Sequence, residues 1–268
     1  MIILKTAHEI EMMKKAGALL GSAFDFIAPT LVPGVSTWQV NKEFEKYVES
    51  HGGVMAEKGY EGFPGSICAS VNEVLIHGIP SKKVILKEGD IVSLDVVVSK
   101  NGYMADACRT YAIGNVSSEA KRVIQCAEEA FWLAFSRVKE GVRIRECSRA
   151  ISETARKYGC STLKEYGGHG IGKDMHEEPF VPNYAGEEGY DDYFINPVIH
   201  KGLCFCVEPM ILAGSDKIRN LADGWGVAAA DGRLTAHYEN TIAVCDDGTP
   251  IVTTVDSNVK GHLTNVER

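Results

Sequence analysis

Apolar residues recur at helical intervals near the start of the chain, with Ile10, Met13, Leu20, Phe24 and Ile27 on one face. Thr6 and Glu9 stand at capping-box spacing ahead of them and Pro29 closes the segment, which predicts a first helix. Pro33-Gly34 marks a turn. Ser36 and Gln39 offer a second capping box before Val40, Phe44, Tyr47 and Val48, and Gly52-Gly53 ends that helix. The plan recurs about 107 residues later. A helical run from about Ser118 to Val138 carries Val123, Ile124, Phe131, Ala134 and Phe135, and Gly141-Val142 matches Gly34-Val35. The next helix ends at Gly159, so both Gly-to-Gly intervals are 18 residues.

Strand patterns follow in each half. Asp90-Ile-Val-Ser-Leu-Asp95-Val-Val-Val98 is bounded by Gly89, and Leu203-Cys-Phe-Cys-Val-Glu208 by Gly202. In both, a carboxylate stands six residues after the glycine. His77-Gly-Ile-Pro80 is echoed by His176-Glu-Glu-Pro179. The Gly159–Gly202 interval is six residues longer than Gly52–Gly89, which fits an acidic, turn-rich insertion within 185–197. These echoes predict an internally duplicated α/β (α+β) domain over 1–268 with one shared site. Its related halves would span about 6–115 and 116–253, followed by a short tail at 254–268.

Composition narrows the class. With 28 Lys plus Arg against 36 Asp plus Glu, the net charge is -8, a poor match for nucleic acid or an anionic membrane. The eight cysteines form no CxxC pair, which argues against a zinc knuckle and suits small buried thiols in a reducing compartment. MIILKTAHEIEMM is too short an apolar run for a signal peptide, and no stretch of about 18 apolar residues exists. A cytoplasmic protein is expected.

Against that background the carboxylates stand out. Asp95, Glu208 and Glu239 interrupt otherwise apolar strand patterns, where an unpaired charge is costly. Asp106 follows Asp95 by eleven residues, a spacing that a hairpin around Lys100-Asn101-Gly102 folds back alongside it. One such residue is most often half-exposed; four together point to a shared cation. His169, inside Tyr166-Gly-Gly-His-Gly-Ile-Gly172, supplies the candidate imidazole, and the glycine cluster lacks the spacing of a phosphate loop. Such a donor set suits Mn, Fe, Co or Zn, and its size suits a pair of ions. His77 and His176 remain as unliganded candidates for hydrogen bonding to a reacting amide or oxyanion.

The sequence closely resembles the type I methionine aminopeptidases of the pita-bread metallopeptidases. The matching stretches are Phe63 to Pro80, Gly89 to Asp95, Gly168-His-Gly-Ile-Gly172, His176-Glu-Glu-Pro179, Val207-Glu-Pro-Met210 and Tyr238-Glu-Asn-Thr241. They lie in family order, and the likeness runs from about residue 3 to 253. It implies a pseudo-two-fold pita-bread core, with a mixed or antiparallel sheet and helices on the outer face. It also implies a dinuclear centre in which Asp95 and Glu239 bridge, Asp106 serves one ion, and His169 and Glu208 the other. Glu208, His77 and His176 would be catalytic. Tyr60, Phe63, Cys68, Met175 and Trp225 would hold the methionine side chain, and Asn72, Val74 and Thr235 a monovalent cation. The implied substrates are nascent polypeptide N-termini at the ribosome with a small second residue, and the implied state is a monomer.

The chain departs from the usual pattern at Asn240, where His is common, and at Ala107-Cys108, where hydroxyl residues are common. A proline-directed peptidase of the same fold is the nearest rival. It usually carries an added N-terminal domain, for which a helix starting at about Thr6 leaves no room. A non-catalytic binding module would typically lack ligands, whereas all five positions here hold competent side chains.

Overall fold

A computed structural model describes residues 1–185 and 196–266. The acidic segment Glu187 to Asp192 lies outside the described residues. Both expected capping boxes form: Thr6 with Glu9 opens α1 (Ala7–Ile27), and Ser36 with Gln39 opens α2 (Thr37–Ser50). The two helices of the second half are α3 (Ser118–Ser136) and α4 (Arg145–Lys157). A last helix, α5 (Ser257–Val266), occupies the tail.

The strands are short except for one hairpin. They run β1 (Val54–Met55), β2 (Cys68–Val71), β3 (Val74–Ile76), β4 (Ile91–Lys100), β5 (Tyr103–Ala112), β6 (Ser161–Thr162), β7 (Gly167–Gly170) and β8 (Glu177–Pro182). Then come β9 (Cys204–Val207), β10 (Met210–Leu212), β11 (Ile218–Asn220), β12 (Val227–Ala229), β13 (Thr235–His237), β14 (Asn240–Val244) and β15 (Pro250–Val252). They form four sheets, in orders β1-β4-β2 with β5 on β4, β13-β10-β6, β11-β12-β3, and β15-β14-β9-β7-β8. Every pairing among the described residues is antiparallel, so the sheets are antiparallel rather than mixed.

The β4–β5 hairpin turns at Asn101 and Gly102, both at positive φ, as a two-residue turn requires. The apolar faces of α1 and α2 cover β4 and β5, burying Phe24, Phe44, Val96 and Val98 in one core. Phe131 and Ile151 of α3 and α4 pack with Phe205 of β9 and Ile242 of β14 in another. Backbone bonds then join the two units: Cys108 and Glu239 exchange N–H···O=C bonds of 3.3 and 3.0 Å. The amide of Asp106 donates to Thr241 Oγ1 at 2.9 Å.

Glu208 and Glu239 do not lie within strands as their patterns suggest. Glu208 falls between β9 and β10, and Glu239 between β13 and β14. Pro209 has no N–H to continue a ladder, so the chain breaks there and passes from the five-stranded to a three-stranded sheet. At Tyr238-Glu239 it passes back the other way. Both carboxylates therefore sit on the seam between the two sheets.

Candidate metal centre

Asp95 and Asp106 come from the long hairpin. Asp95 pairs with Cys108 across the ladder and Asp106 with Val97, so both carboxylates leave one face of the sheet. His169 arrives from β7, which Gly168 and Gly170 let pass close to neighbouring backbone. A Cβ on Gly168 would lie 2.1 Å from the Cys206 carbonyl oxygen, and one on Gly170 2.2 Å from that of Glu178. The His169 Nδ1–H donates to the Gly170 carbonyl at 2.9 Å, which turns the Nε2 lone pair toward the carboxylates.

That nitrogen lies 3.6 Å from Asp106 Oδ2 and 3.8 Å from Glu208 Oε1. Donor atoms of Asp106, His169, Cys206 and Glu239 all fall within 4.8 Å of one another. Asp106 thus lies on the His169 side of the site. The hairpin register displaces Asp106 from Asp95 by two pairs along the ladder.

The electrostatics call for a cation. Asp106, Glu208 and Glu239 are 4%, 7% and 2% exposed. Asp106 Oδ1 and Glu239 Oε1 are buried with no hydrogen-bond partner. Burial lifts the Asp95 carboxyl to about 7. Burial together with the neighbouring carboxylates pushes Asp106, Glu208 and Glu239 well above the usual range. Burial and the nearby His176 lower His169 to about 4, so its ring is neutral and able to ligate. Oxygen-rich donors, one neutral imidazole and orphaned buried oxygens fit a divalent metal.

The remaining expected residues open onto the same cavity of about 450 Å³. Phe63 and Trp225 meet edge to face at 5.1 Å, beside buried Cys68 and Met175. His77, just past β3, has its ring 5.9 Å from Tyr166 and 6.5 Å from Trp225. His176, just before β8, lies with its ring 4.3 Å from that of His169, and its Nδ1 is 2.9 Å from the Tyr60 hydroxyl. Asn72, Val74 and Thr235 lie elsewhere but do converge. Thr235 Oγ1 donates to the carbonyls of Asn72 and Val74 at 2.9 and 3.1 Å.

The sequence reading passed over two residues here. His237 stands two positions before Glu239 and ends β13, fully buried against the carboxylates. Glu57 reads as a surface charge between Ala56 and Lys58, yet it is buried in the cavity wall. It accepts from the Val97 amide at 3.2 Å, its other oxygen has no partner, and no local pattern foretells this.

Comparison with known proteins agrees with this geometry. The model of metallopeptidase family M24 matches residues 11–246. A methionine aminopeptidase of Clostridium acetobutylicum is 41% identical over 253 residues, which are 94% of this chain and 99% of that protein. The solved methionine aminopeptidase of Thermotoga maritima superposes with a TM-score of 0.90 at 34% identity, covering 96% of this chain and 100% of its own. That of Rickettsia prowazekii gives 0.89 at 36%, covering 95% and 100%. The pita-bread fold implied by the resemblance is borne out, and the donor set is that of a metalloenzyme using a divalent cation. The chain belongs to metallopeptidase family M24, within its methionine aminopeptidases.

Proposed function

We propose that this chain is an aminopeptidase that removes the N-terminal methionine of proteins using two divalent ions. The observation that carries the reading is the convergence of Asp95, Asp106, His169, Glu208 and Glu239 on one cavity beside an apolar pocket. Five such donors exceed the needs of one ion, and the groups containing His169 and Glu208 share Glu239. The spacings favour Asp106, His169 and Glu208 around one ion and Asp95 at the other, with Glu239 between them. Mn, Fe, Co and Zn all suit these donors.

When bound, the metal pair supplies Lewis acidity and lowers the pKa of water. The protein does the rest. Glu208, at the edge of the centre, takes a proton from the attacking water and returns it to the leaving amine. His176, hydrogen-bonded to Tyr60 at the cavity mouth, donates to the developing oxyanion. His77, neutral because burial and then His176 lower its basicity, contacts the scissile amide. The methionine thioether lies among Tyr60, Phe63, Cys68, Met175 and Trp225, a shape that favours an unbranched side chain. A small second residue is preferred, as in the resemblance.

The proposal extends to nascent chains at the ribosome, a cytoplasmic setting, a monomeric state and a monovalent cation held by Asn72, Val74 and Thr235. All eight cysteines are free thiols, and no helix among the described residues is long and apolar enough to cross a membrane.

The test is metal-stripped protein assayed on Met-Ala-Ser and Pro-Ala-Ser, with Mn, Fe, Co or Zn restored, beside Glu208→Ala. Metal-dependent release of free methionine alone, lost in the variant, is the expected result. Release of proline would reassign the specificity, and no cleavage with any metal would overturn the reading.

A further inference from the structure

His237 is the last residue of β13, and its backbone is pinned on both sides by one hydroxyl. Thr110 Oγ1 accepts from the His237 amide at 3.0 Å and donates to its carbonyl at 2.8 Å. The backbone is consequently held in place, and the residue is 1% exposed. Neither ring nitrogen has a hydrogen-bond partner. A histidine buried only for packing normally satisfies at least one of them.

What surrounds the ring is acidic. Nε2 lies 3.7 Å from Glu208 Oε2 and 3.7 Å from Glu239 Oε2, while Nδ1 lies 4.0 Å from Asp95 Oδ2. These separations are too long for hydrogen bonds. They are, however, the spacing of two donors that each stand about 2.0–2.2 Å from one ion. His169 shows the same spacing, 3.6 and 3.8 Å, to Asp106 and to the other oxygen of Glu208. Glu208 thus presents Oε1 to one imidazole and Oε2 to the other.

We propose that His237 is a sixth protein ligand of the centre, its Nε2 joining Glu239 on the ion that Asp95 serves, with Glu208 reaching that ion through its second oxygen Oε2. The proposal rests on the reading that this cavity holds divalent ions, and it adds a residue outside the ligand set that the resemblance implies. Each ion then carries one imidazole. A nitrogen in place of an oxygen donor shifts the second site away from Mn and toward Co, Fe or Zn.

The test counts imidazoles without using activity. The full chain is loaded with Co(II), its bound cobalt is titrated, and the paramagnetically shifted, solvent-exchangeable imidazole N–H protons are counted by proton NMR. Two such signals are expected in the unaltered protein, one in His237→Gln and one in His169→Gln. The second cobalt should bind His237→Gln more than about 100-fold more weakly, beyond the loss typical of a group that only hydrogen-bonds a ligand. A single signal in the unaltered protein, lost in His169→Gln, would overturn the role of His237 while leaving the five-residue centre intact. Failure of the unaltered protein to bind cobalt would instead overturn the metal-site reading beneath it. The count in the unaltered protein decides the matter even where a variant fails to fold.

Discussion

The Nη1 of Arg109 lies 2.6 Å from the carbonyl oxygen of Glu239, so a buried guanidinium holds the backbone of a candidate ligand. The same group donates to the Cys108 carbonyl, to Asn240 Oδ1 at 2.8 Å and to Asp256 Oδ2 at 2.7 Å. Phe24 and Tyr238 flank it, with ring centroids 5.2 and 4.7 Å from the guanidinium carbon. Asn240, the departure noted in the sequence, is therefore an acceptor for Arg109. Arg109→Ala leaves Asp256 buried and unpaired, and should destabilise the fold by about 3–5 kcal/mol in chemical denaturation. Arg109→Lys keeps the charge but not the fork, so it should recover only part of this loss.

Gly168 predicts a sharper local effect. An added Cβ would collide with the Cys206 carbonyl where β7 runs beside β9, and backbone cannot yield as a flexible side chain can. Gly168→Ala should cost about 1–3 kcal/mol and push His169 away from Asp106. Metal affinity should fall with it, measured by calorimetric titration. A variant with unchanged affinity would show that β7 accommodates the methyl group without moving His169.

Much of this was legible in the sequence because it is written in short-range patterns. The capping boxes at Thr6 and Ser36, the Asn101-Gly102 turn and the Asp95–Asp106 hairpin each depend on neighbours within a few residues. The fate of Glu208 and Glu239 was less legible, since crossing between sheets is decided by partners far along the chain. Glu57 was invisible for the same reason: what buries it is the approach of β4, some 40 residues away at Val97. His237 stands in an apolar run just ahead of Glu239, but only the fold reveals that neither of its ring nitrogens has a hydrogen-bond partner.

Metal removal should reverse the usual effect of pH on stability. In the metal-free protein Asp95 titrates at about 7, raised by burial, and Asp106, Glu208 and Glu239 are raised well above their ordinary values. The folded state then holds more protons than the unfolded one, so the contribution of these groups is largest below their unfolded values. It is lost as pH rises through the folded ones. A bound cation favours the ionised forms and binds more tightly at higher pH. The melting-temperature gap between metal-loaded and chelator-treated protein should widen from about pH 5 to about pH 7.5. A gap independent of pH would mean that these carboxylates do not change ionisation when the cation leaves.

The tail, which carried no role in the sequence, closes over α3 and thereby backs the centre. Val259 is fully buried, and the Tyr238 hydroxyl donates to Asn258 Oδ1 at 2.7 Å. Asn258 Nδ2 and His262 Nε2 both meet Glu128 Oε1 at 2.7 Å, while the His262 ring stacks on Trp132 at 4.6 Å. Ending the chain after Asp256 removes these contacts but keeps the Arg109–Asp256 pair. Burial of one valine and two or three hydrogen bonds together amount to about 3–5 kcal/mol, which is the expected loss in denaturant. Because Arg109 still holds Glu239, metal affinity should change by less than about tenfold, well short of a lost ligand. A larger fall in affinity would show that α5 acts on Glu239 through Tyr238 and not through Arg109 alone.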